Sequence, residues 1–477
     1  MSSYSSADDS YESDEPPELE LDLARLMDCA SKALKVKCTS AKKLTRGVGH
    51  EIFALKFRAE DATDATPPSL VHAGFSCIAR LSRLGSNTRA KSASDIATAQ
   101  YIRRYSSIPV PEIYYHDLDP DNDVGAPLVL MERMPGRNLN KIWDGLSLDG
   151  KKMVLSQIAS VVAQLSCLEF DQIGSLADDE QGAVAVGPVI SPCFDEPKGP
   201  FRSTGQWMRS FLPAVAAPGS SSAEAPPGSP DPCQEAWAAL ERFLAQDDPP
   251  LPYLQPPFCL IHDDFDGQNM MFVNPADDGS SGGPKLTGLI DFEYAFTGPR
   301  YFLYDYPIFI QDVSWSPELY ADNATLRAHF VRAIHEQLPN AEARSTFIAC
   351  MNNKCYALNG FADAFMSMPL DDGQPLGVLA KFYAQDLKDG TGLPYSGRLD
   401  YIPERYSEAA EALPSSDYDE DNNNSNNDNL DTQKKCALDG DHHDPHSGLT
   451  PQATQGVDKD VALTGGGDDG EEGDLGP

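Results

Sequence analysis

The segment CLIHDDFDGQNMMF, residues 259–272, constrains the fold more than any other part of the sequence. Apolar residues typical of buried strands flank a polar centre that contains His262, Asp263, Asp264, Asp266 and Asn269. Clustered carboxylates repel one another and are costly to remove from water unless a cation lies among them. The segment therefore predicts a strand, a loop and a second strand, with a loop that holds a metal ion, a cationic substrate or a polyphosphate.

The spacing of three of these residues adds a chemical interpretation. His262, Asp264 and Asn269 follow the pattern H-x-D-x-x-x-x-N of the protein-kinase catalytic loop, in which the aspartate accepts the proton of the attacking hydroxyl and the asparagine holds magnesium. A further strand within KLTGLIDFEYAF ends at Asp291, 27 residues after Asp264. Magnesium prefers one or two carboxylates together with phosphate oxygens and water. Asn269 and Asp291 can supply the protein share, while Asp264 holds a substrate hydroxyl. The alternative is that these are ordinary turn residues, because Asp, Gly and Asn favour hairpins.

Charge and composition exclude several classes of protein. The 477-residue chain carries a formal charge of -36, of which -8 lies in residues 1–22 and -13 in residues 415–477, so the remainder is also acidic at -15. This argues against binding to duplex nucleic acid. We expect no transmembrane helix, no signal peptide and no transit peptide. The ten cysteines form no CxxC pair, which is typical of reduced thiols and favours a cytoplasmic protein.

Composition also divides the chain into segments. The acidic residues 1–20, the Pro- and Ser-rich residues 216–233 and the acidic residues 412–477 are typical of disordered regions. Between them, residues 21–134 predict a strand-rich lobe with strands near 52–58, 75–83 and 127–134 and helices at 22–35 and 92–105, the second capped by Ser92 or Ser94. Residues 135–411 predict a mainly helical lobe, with helices at 150–168, 204–212, 233–247, 324–338 and 343–366 and short strands at 258–261, 269–273 and 286–291. The predicted fold is therefore α+β with two lobes.

The combined motifs resemble those of the aminoglycoside phosphotransferase family, small-molecule relatives of protein kinases, in the form abundant in fungi. The family's HGD-x-x-x-x-N is matched by His262, Asp264 and Asn269, with Asp263 where glycine is usual. Its IDW/F-E is matched by the run IDFE, which contains Asp291 and Glu293. The resemblance covers roughly residues 40–410. It implies a protein-kinase-like fold with ATP between the lobes.

The resemblance also assigns residues to the nucleotide. Arg80 stands where kinases carry the lysine that grips the α- and β-phosphates, and Asp95 stands where its helix partner is usually glutamate. The alternative for Arg80 and Asp95 is a surface ion pair of little consequence. Gly47 and Gly49 lie in the loop that would cover the phosphates, although the G-x-G-x-x-G pattern is incomplete and an ordinary hairpin turn explains them equally well. The resemblance also implies that backbone groups near Glu132 and Met134 bind adenine. Asp305 would help to order the loop that contains Asp264.

The function that the resemblance implies is transfer of the γ-phosphoryl group of ATP to a hydroxyl of a small molecule, with Mg²⁺ as cofactor. The acidic charge around the loop favours a neutral or cationic acceptor over an anionic one, and we expect a monomer or weak dimer. One alternative is a catalytically silent, kinase-shaped binding protein. Another is a protein kinase, against which the absence of an APE-like segment argues. The sequence also lacks a G-x-x-x-x-G-K-[ST] motif, which argues against a P-loop NTPase.

Overall fold

The computed structural model of the protein describes residues 18–47, 49–85, 88–178, 183–191, 194, 196–210, 238, 241, 254–275, 282–311, 321–351, 355, 358 and 359. All of them belong to one contact unit, Met1–Cys436, and the second unit, Ala437–Pro477, lies outside the described residues. The predicted disordered segments 216–233 and 412–477 also lie outside them. Of the predicted segment 1–20, only residues 18–20 are described, and they contact the first lobe through Glu18 and Leu19.

The first lobe is built on one five-stranded antiparallel sheet. Its elements are α1 (Leu23–Leu34), β1 (Cys38–Arg46), β2 (His50–Phe57), α2 (Pro68–His72), β3 (Ser76–Ser82), α3 (Thr88–Tyr105), β4 (Ile113–Asp117) and β5 (Leu128–Glu132). The strand order is β1-β2-β3-β5-β4. The middle strand β3 is buried over six of its seven residues, as expected of a strand covered on both faces. Arg80 on β3 is therefore held in the interior of the sheet.

Helix α3 begins earlier than its sequence suggests. The predicted start at Ser92 or Ser94 is wrong, because the helix begins at Thr88, whose hydroxyl donates to the carbonyl of Gly85 at 2.8 Å. Ser92 and Ser94 are buried inside the helix. Three of the four buried apolar residues of α3, Ala97, Ala99 and Ile102, belong to the core of the second lobe, and none belongs to the core beneath the five-stranded sheet. The helix thus carries Asp95 between the two lobes.

The second lobe is mainly helical. Its elements are β6 (Arg137–Asn138), α4 (Leu148–Ser166), β7 (Leu176–Asp178), β8 (Val184–Val186), α5 (Thr204–Arg209), β9 (Cys259–Ile261), β10 (Met270–Val273), β11 (Lys285–Leu289), β12 (Phe296–Gly298), α6 (Arg300–Leu303), α7 (Asn323–Gln337) and α8 (Ala341–Cys350). Helix α4 starts after Ser147, whose hydroxyl accepts the N–H of Gly150 at 3.2 Å. Helix α4 then packs along α7, and both contribute to the apolar core.

Two pairs of short strands bring two loops together. Strand β10 pairs antiparallel with β11, so that Met270 lies opposite Leu289, and β9 pairs antiparallel with β12, so that Ile261 lies opposite Phe296. The loop from β9 to β10 therefore begins beside the end of the loop from β11 to β12, and it ends beside the start of that loop. Residues 262–269 face residues 290–295 as a consequence of this topology.

The predicted two-lobed α+β fold is confirmed. Strands β2, β3, β5, β9, β10 and β11 and helices α1, α4 and α7 lie within a few residues of their predicted positions. The strands β1, β4, β6, β7, β8 and β12 were not predicted. All of them except β1 have five residues or fewer, which is too short for a clear alternation of polar and apolar residues. The predicted helix 233–247, apart from residues 238 and 241, and most of 343–366 beyond α8 lie outside the described residues.

Candidate active site

The loop from β9 to β10 is organised around His262. This side chain is 2% exposed and packs against Phe265 and Phe292. Its Nε2 donates to the carbonyl of Ile290 at 2.9 Å, which fixes the position of the proton on that nitrogen. Burial lowers the pKa of His262, so the ring is neutral. His262 therefore ties the first loop to the second and carries no charge to the site.

Asp264 and Asn269 form a hydrogen-bonded pair in this loop. Asn269 Nδ2 donates to Asp264 Oδ2 at 2.8 Å and to the Asp264 carbonyl at 3.0 Å. Gln268 Nε2 donates to the same Oδ2 at 3.0 Å. Asp266 accepts the N–H of Gly267 and shapes the single 3-10 turn that carries Asn269. The carboxylate of Asp264 is exposed, whereas Asn269 is 5% exposed.

Asp263 occupies an unusual backbone conformation. Its φ is +67°, a region that suits glycine and that Asp tolerates better than most other residues. The side chain is accessible to solvent but closely surrounded by protein atoms beside Asp264. This partial burial, together with the charge of Asp264, raises the pKa of Asp263 to about 7. The structure thus places a weakly acidic carboxyl directly before Asp264.

Asp291 follows β11 and lies against Asn269 through the backbone. The N–H of Ile290 donates to the Asn269 carbonyl at 3.0 Å. Asp291 itself has a φ of +68° and a side chain that is 38% exposed, with Oδ1 buried. Among the described residues, no donor forms a hydrogen bond to that Oδ1, and the nearest cation is Arg80 Nη1 at 3.8 Å. Burial raises the pKa of Asp291 to about 6 against the opposing effect of Arg80.

Arg80 and Asp95 are in contact, as the sequence predicts. Arg80 Nη2 donates to Asp95 Oδ2, and the two side chains are 7% and 5% exposed, so the pair is buried and not a surface ion pair. The other carboxylate oxygen of Asp95 accepts the N–H of Phe292 at 2.7 Å. Asp95 therefore joins the first lobe to the residue that follows Asp291. The shorter side chain of Asp, compared with Glu, is sufficient for both contacts here.

Glu293 is held by two residues of the first lobe. His50 Nε2 donates to Glu293 Oε2 at 2.9 Å, and Lys91 Nζ lies 3.5 Å from the same oxygen. Burial opposes ionisation of Glu293, but the hydrogen bond and charge of His50 outweigh it and lower the pKa of Glu293 to about 2. His50 and Lys91 were not predicted from the sequence. Lys91 precedes Asp95 by four residues on the same helix face, but this spacing gives no sign of a contact with Glu293.

The predicted nucleotide residues lie at two places in the first lobe. Gly47 and Gly49 lie between β1 and β2, where the Gly47 N–H donates to the His50 carbonyl at 2.9 Å. Glu132 ends β5, and its N–H donates to the Glu112 carbonyl at 2.8 Å. Met134 follows and packs against Gly288 of β11, so it touches both lobes.

Asp305 lies after α6, where its Oδ1 accepts the N–H of Tyr306 at 2.7 Å.

The contacts described above bring His262, Asp264, Asn269 and Asp291 together with Arg80, Asp95 and Glu293. This arrangement presents a carboxylate, an amide oxygen and a second carboxylate near a buried guanidinium. Such a donor set can hold a hydroxyl, a divalent cation and phosphate oxygens.

No helix among the described residues has the length and apolar character needed to cross a membrane.

A model of the phosphotransferase enzyme family (APH) matches residues 69–336, which is 268 of the 477 residues. A subtelomeric hrmA-associated cluster protein of Aspergillus fumigatus is 30% identical over 140 residues, which is 29% of this chain and 25% of that protein. Altered inheritance of mitochondria protein 9, mitochondrial, of Meyerozyma guilliermondii is 32% identical over 92 residues, which is 19% of this chain and 15% of that protein. The chain thus spans a quarter or less of the length of these relatives.

Two solved structures are similar at low identity. Aminoglycoside phosphotransferase APH(4)-Ia, in a ternary complex with AMP-PNP and hygromycin B, has 16% identity and a TM-score of 0.40, with 76% of this chain and 97% of that chain covered. The streptomycin–ATP–APH(2")-IIa ternary complex has 12% identity and a TM-score of 0.42, with 73% and 90% covered.

Proposed function

Because the chain belongs to the phosphotransferase enzyme family, we propose that it transfers the γ-phosphoryl group of ATP to a hydroxyl group of a small molecule, with Mg²⁺ as the metal ion. One observation carries the proposal. Asp264, Asn269 and Asp291 are connected by a short path of hydrogen bonds, from the Asp264 carboxylate to the Asn269 amide and from the Asn269 carbonyl to the Ile290 N–H. Residues of two separate loops are thus linked at one polar site, and they are of the types that phosphoryl transfer requires.

In this proposal Asp264 binds and orients the acceptor hydroxyl. Its Oδ2 already accepts hydrogen bonds from Gln268 and Asn269, which leaves Oδ1 to accept the hydroxyl proton. The two amides hold the carboxylate in one orientation, so the attacking oxygen would be positioned without reorganisation. As the hydroxyl oxygen forms its bond to phosphorus, the proton passes to Asp264, and the bond to the leaving ADP oxygen breaks.

The residues present fit a magnesium ion. Asn269 uses its NH2 group for Asp264, so its Oδ1 is the atom that remains for a cation. Asp291 Oδ1 is buried and accepts no hydrogen bond within the described part of the chain. A buried carboxylate oxygen usually has a donor or a cation as its partner, and a bound magnesium ion would supply one. One amide oxygen and one carboxylate are the protein share that magnesium takes when phosphates supply further ligands. Bound there, the ion would neutralise charge on the transferring phosphoryl group.

Arg80 would contact the nucleotide phosphates. Its Nη2 is used by Asp95, but its Nε is buried without a hydrogen-bond partner among the described residues, and its Nη1 is 3.8 Å from Asp291. A guanidinium always carries its charge and presents several donors in one plane, so it can bind Asp95 and a phosphate at once. Asp95 and Asp291 raise the pKa of Arg80 although burial opposes this. The turn with Gly47 and Gly49 and the segment 132–134 would complete the nucleotide site.

The acceptor would be neutral or cationic, since Asp263 and Asp264 are exposed next to one another at the proposed site of attack. Location in the cytoplasm and a monomeric or weakly dimeric state remain part of this proposal. The competing function is a kinase-shaped protein that has lost catalysis, which the replacement of the usual glycine by Asp263 favours. The two functions differ in their response to magnesium and nucleotide, and this difference provides the test.

Thermal unfolding with ATP, with and without Mg²⁺, tests the nucleotide site first. A ligand that binds the folded state stabilises it by RT ln(1 + [L]/Kd), about 2.7 kcal/mol at a hundredfold excess over Kd. We expect a rise in Tm with ATP that is clearly larger when Mg²⁺ is also present, with GTP as the comparison nucleotide. A screen of ATP consumption against neutral, cationic and anionic alcohols then tests transfer. Little magnesium-dependent stabilisation, together with no ATP consumption on any acceptor, would favour the silent protein and contradict the proposed transfer.

A further inference from the structure

Glu293 is the residue at which three separate elements meet. His50 begins β2 and contacts Glu293 Oε2 at 2.9 Å, while Lys91 on α3 lies 3.5 Å from the same atom. The three side chains are 15%, 20% and 17% exposed for His50, Lys91 and Glu293. The turn that carries Gly47 and Gly49, the helix that carries Asp95 and the loop that carries Asp291 are thus joined by one carboxylate.

Each partner of Glu293 is itself fixed in orientation. His50 Nδ1 lies 3.1 Å from the Ser82 hydroxyl at the end of β3. Lys91 Nζ lies 4.6 Å from the centre of the Tyr294 ring. With neighbouring residues of the turn and of α3, these groups line a cavity of about 210 Å³. The Glu293 carboxylate is therefore bound by two largely buried side chains that make further contacts of their own, unlike an exposed ion pair at the surface.

The loop after β11 is held at three consecutive positions. Asp291 lies 3.8 Å from Arg80, the Phe292 N–H donates to Asp95, and Glu293 is bound by His50 and Lys91. Asp291 has a φ of +68°, a conformation that is unfavourable for most residues other than glycine, although Asp tolerates it better than most. Fixing Glu293 limits the freedom of Asp291 two residues before it.

We propose that Glu293 is a positioning residue that, through His50 and Lys91, couples the β1–β2 turn and α3 to Asp291 and so sets the affinity for Mg·ATP. This inference rests on the proposed function. Glu293 does not need to touch the nucleotide or the metal ion for this role. It acts as residues behind a metal ligand commonly do, by orienting the group that binds.

The test compares Glu293→Gln with the wild-type protein by calorimetric titration with Mg·ATP and with ATP in excess EDTA. Loss of the charge should raise the Kd for Mg·ATP about tenfold, the effect typical of residues behind a metal ligand. The Kd for metal-free ATP should change less than about twofold, because Glu293 is not proposed to bind the nucleotide. The matched control is Glu241→Gln, which removes a carboxylate from the exposed ion pair with Arg209 and should leave both values unchanged.

A second measurement does not depend on any ligand. In the ligand-free protein, amide hydrogen exchange of residues 290–294 should be faster in Glu293→Gln and in His50→Gln, and unchanged in Glu241→Gln. His50→Gln also serves if Glu293→Gln fails to fold. The double variant Glu293→Gln/His50→Gln should raise the Kd for Mg·ATP no more than the single variant with the larger effect. The reason is that both substitutions remove the same contact between His50 and Glu293.

The outcomes separate this inference from the proposed function. If the wild-type protein fails to bind Mg·ATP, the proposed function is wrong and the inference falls with it. If the wild-type protein binds while Glu293→Gln and His50→Gln bind equally well, only the inference is wrong. An equal loss of affinity with and without Mg²⁺ would also overturn it, since that result would describe a general disturbance of the lobe.

Discussion

Asn269 and Asp264 are joined by one amide group, which donates to the Asp264 carboxylate at 2.8 Å and to its carbonyl at 3.0 Å. These two hydrogen bonds fix the orientation of the Asn269 amide: its NH2 group points to Asp264, and its Oδ1 points away from Asp264 and can bind a cation. The residue proposed to hold the acceptor hydroxyl and the residue proposed to hold magnesium therefore cannot reorient independently. Displacement of either would alter the other.

Asp264→Asn should abolish turnover and leave nucleotide binding nearly intact. An amide cannot accept the hydroxyl proton, and a positioned general base contributes on the order of 10²–10⁴ in rate. Once an acceptor is found, kcat should fall by that factor while the Kd for Mg·ATP, measured by titration, changes little. Asp28→Asn, on the exposed face of α1, provides the control with unchanged kcat. A near-wild-type kcat for Asp264→Asn would show that another residue takes the proton.

Asp95→Ala should destabilise the protein far more than loss of an exposed ion pair. Removing Asp95 leaves the buried Arg80 guanidinium without its partner and the Phe292 N–H without its acceptor. Breaking a buried pair by removing one partner costs about 3–5 kcal/mol. Denaturant unfolding should show this loss, whereas Glu241→Ala, which breaks the exposed pair with Arg209, should cost less than about 1 kcal/mol. Equal effects for the two variants would mean that Asp95 is not a structural bridge between the lobes.

The fold was predictable where local pattern determines structure. Apolar strands on both sides of residues 262–269 and the spacing of Asp264 and Asn269 identify a strand, loop and strand, and the structure has this arrangement. The contact between Arg80 and Asp95 follows from their family resemblance and is present. These features depend on short segments whose hydrophobic period or motif is visible in sequence.

Other features depend on tertiary contacts and were not predictable. The partners of Glu293, His50 and Lys91, lie more than 200 residues before it, and no local pattern connects them. Helix α3 begins at Thr88, although Ser92 and Ser94 are the residues whose type favours a cap. The positive φ of Asp263 and Asp291 arises where the two loops close on each other, and propensity alone would place glycine there.

Asp263→Asn should stabilise the protein at alkaline pH and not at acidic pH. The pKa of Asp263 is raised from its ordinary value to about 7, so the folded state holds this proton more tightly than the unfolded state. The stability of the wild type associated with this group is therefore fully present only below about pH 4 and is lost progressively as pH rises through 7. Because the side chain is exposed, solvent screening reduces the effect to about 1 kcal/mol or less.

Thermal unfolding of Asp263→Asn and the wild type across pH 4–8 measures this difference. The Tm of the variant should exceed that of the wild type by about 2–4 °C at pH 8, and the two curves should converge towards pH 4. Asp263→Gly separates charge from backbone strain, since glycine also relieves the positive φ and should add a gain that is independent of pH. A constant difference between Asp263→Asn and wild type at all pH values would contradict the raised pKa.

Gly136→Ala should destabilise the protein and weaken nucleotide binding together. Gly136 has a φ of +100°, and an added Cβ would lie 2.2 Å from the Phe272 carbonyl oxygen on β10, a backbone atom that cannot move aside. Strain of this kind costs about 1–3 kcal/mol or more. The displaced strand β6 carries Asn138, which donates to the Gln268 carbonyl beside Asn269, so the disturbance should reach the proposed magnesium site and raise the Kd for Mg·ATP. Gly145→Ala is the matched control, because its Cβ would meet no atom within 4 Å and its φ is not positive. Equal melting temperatures for the two variants would show that β6 and β10 separate freely, and the path from Gly136 to the site would then be wrong.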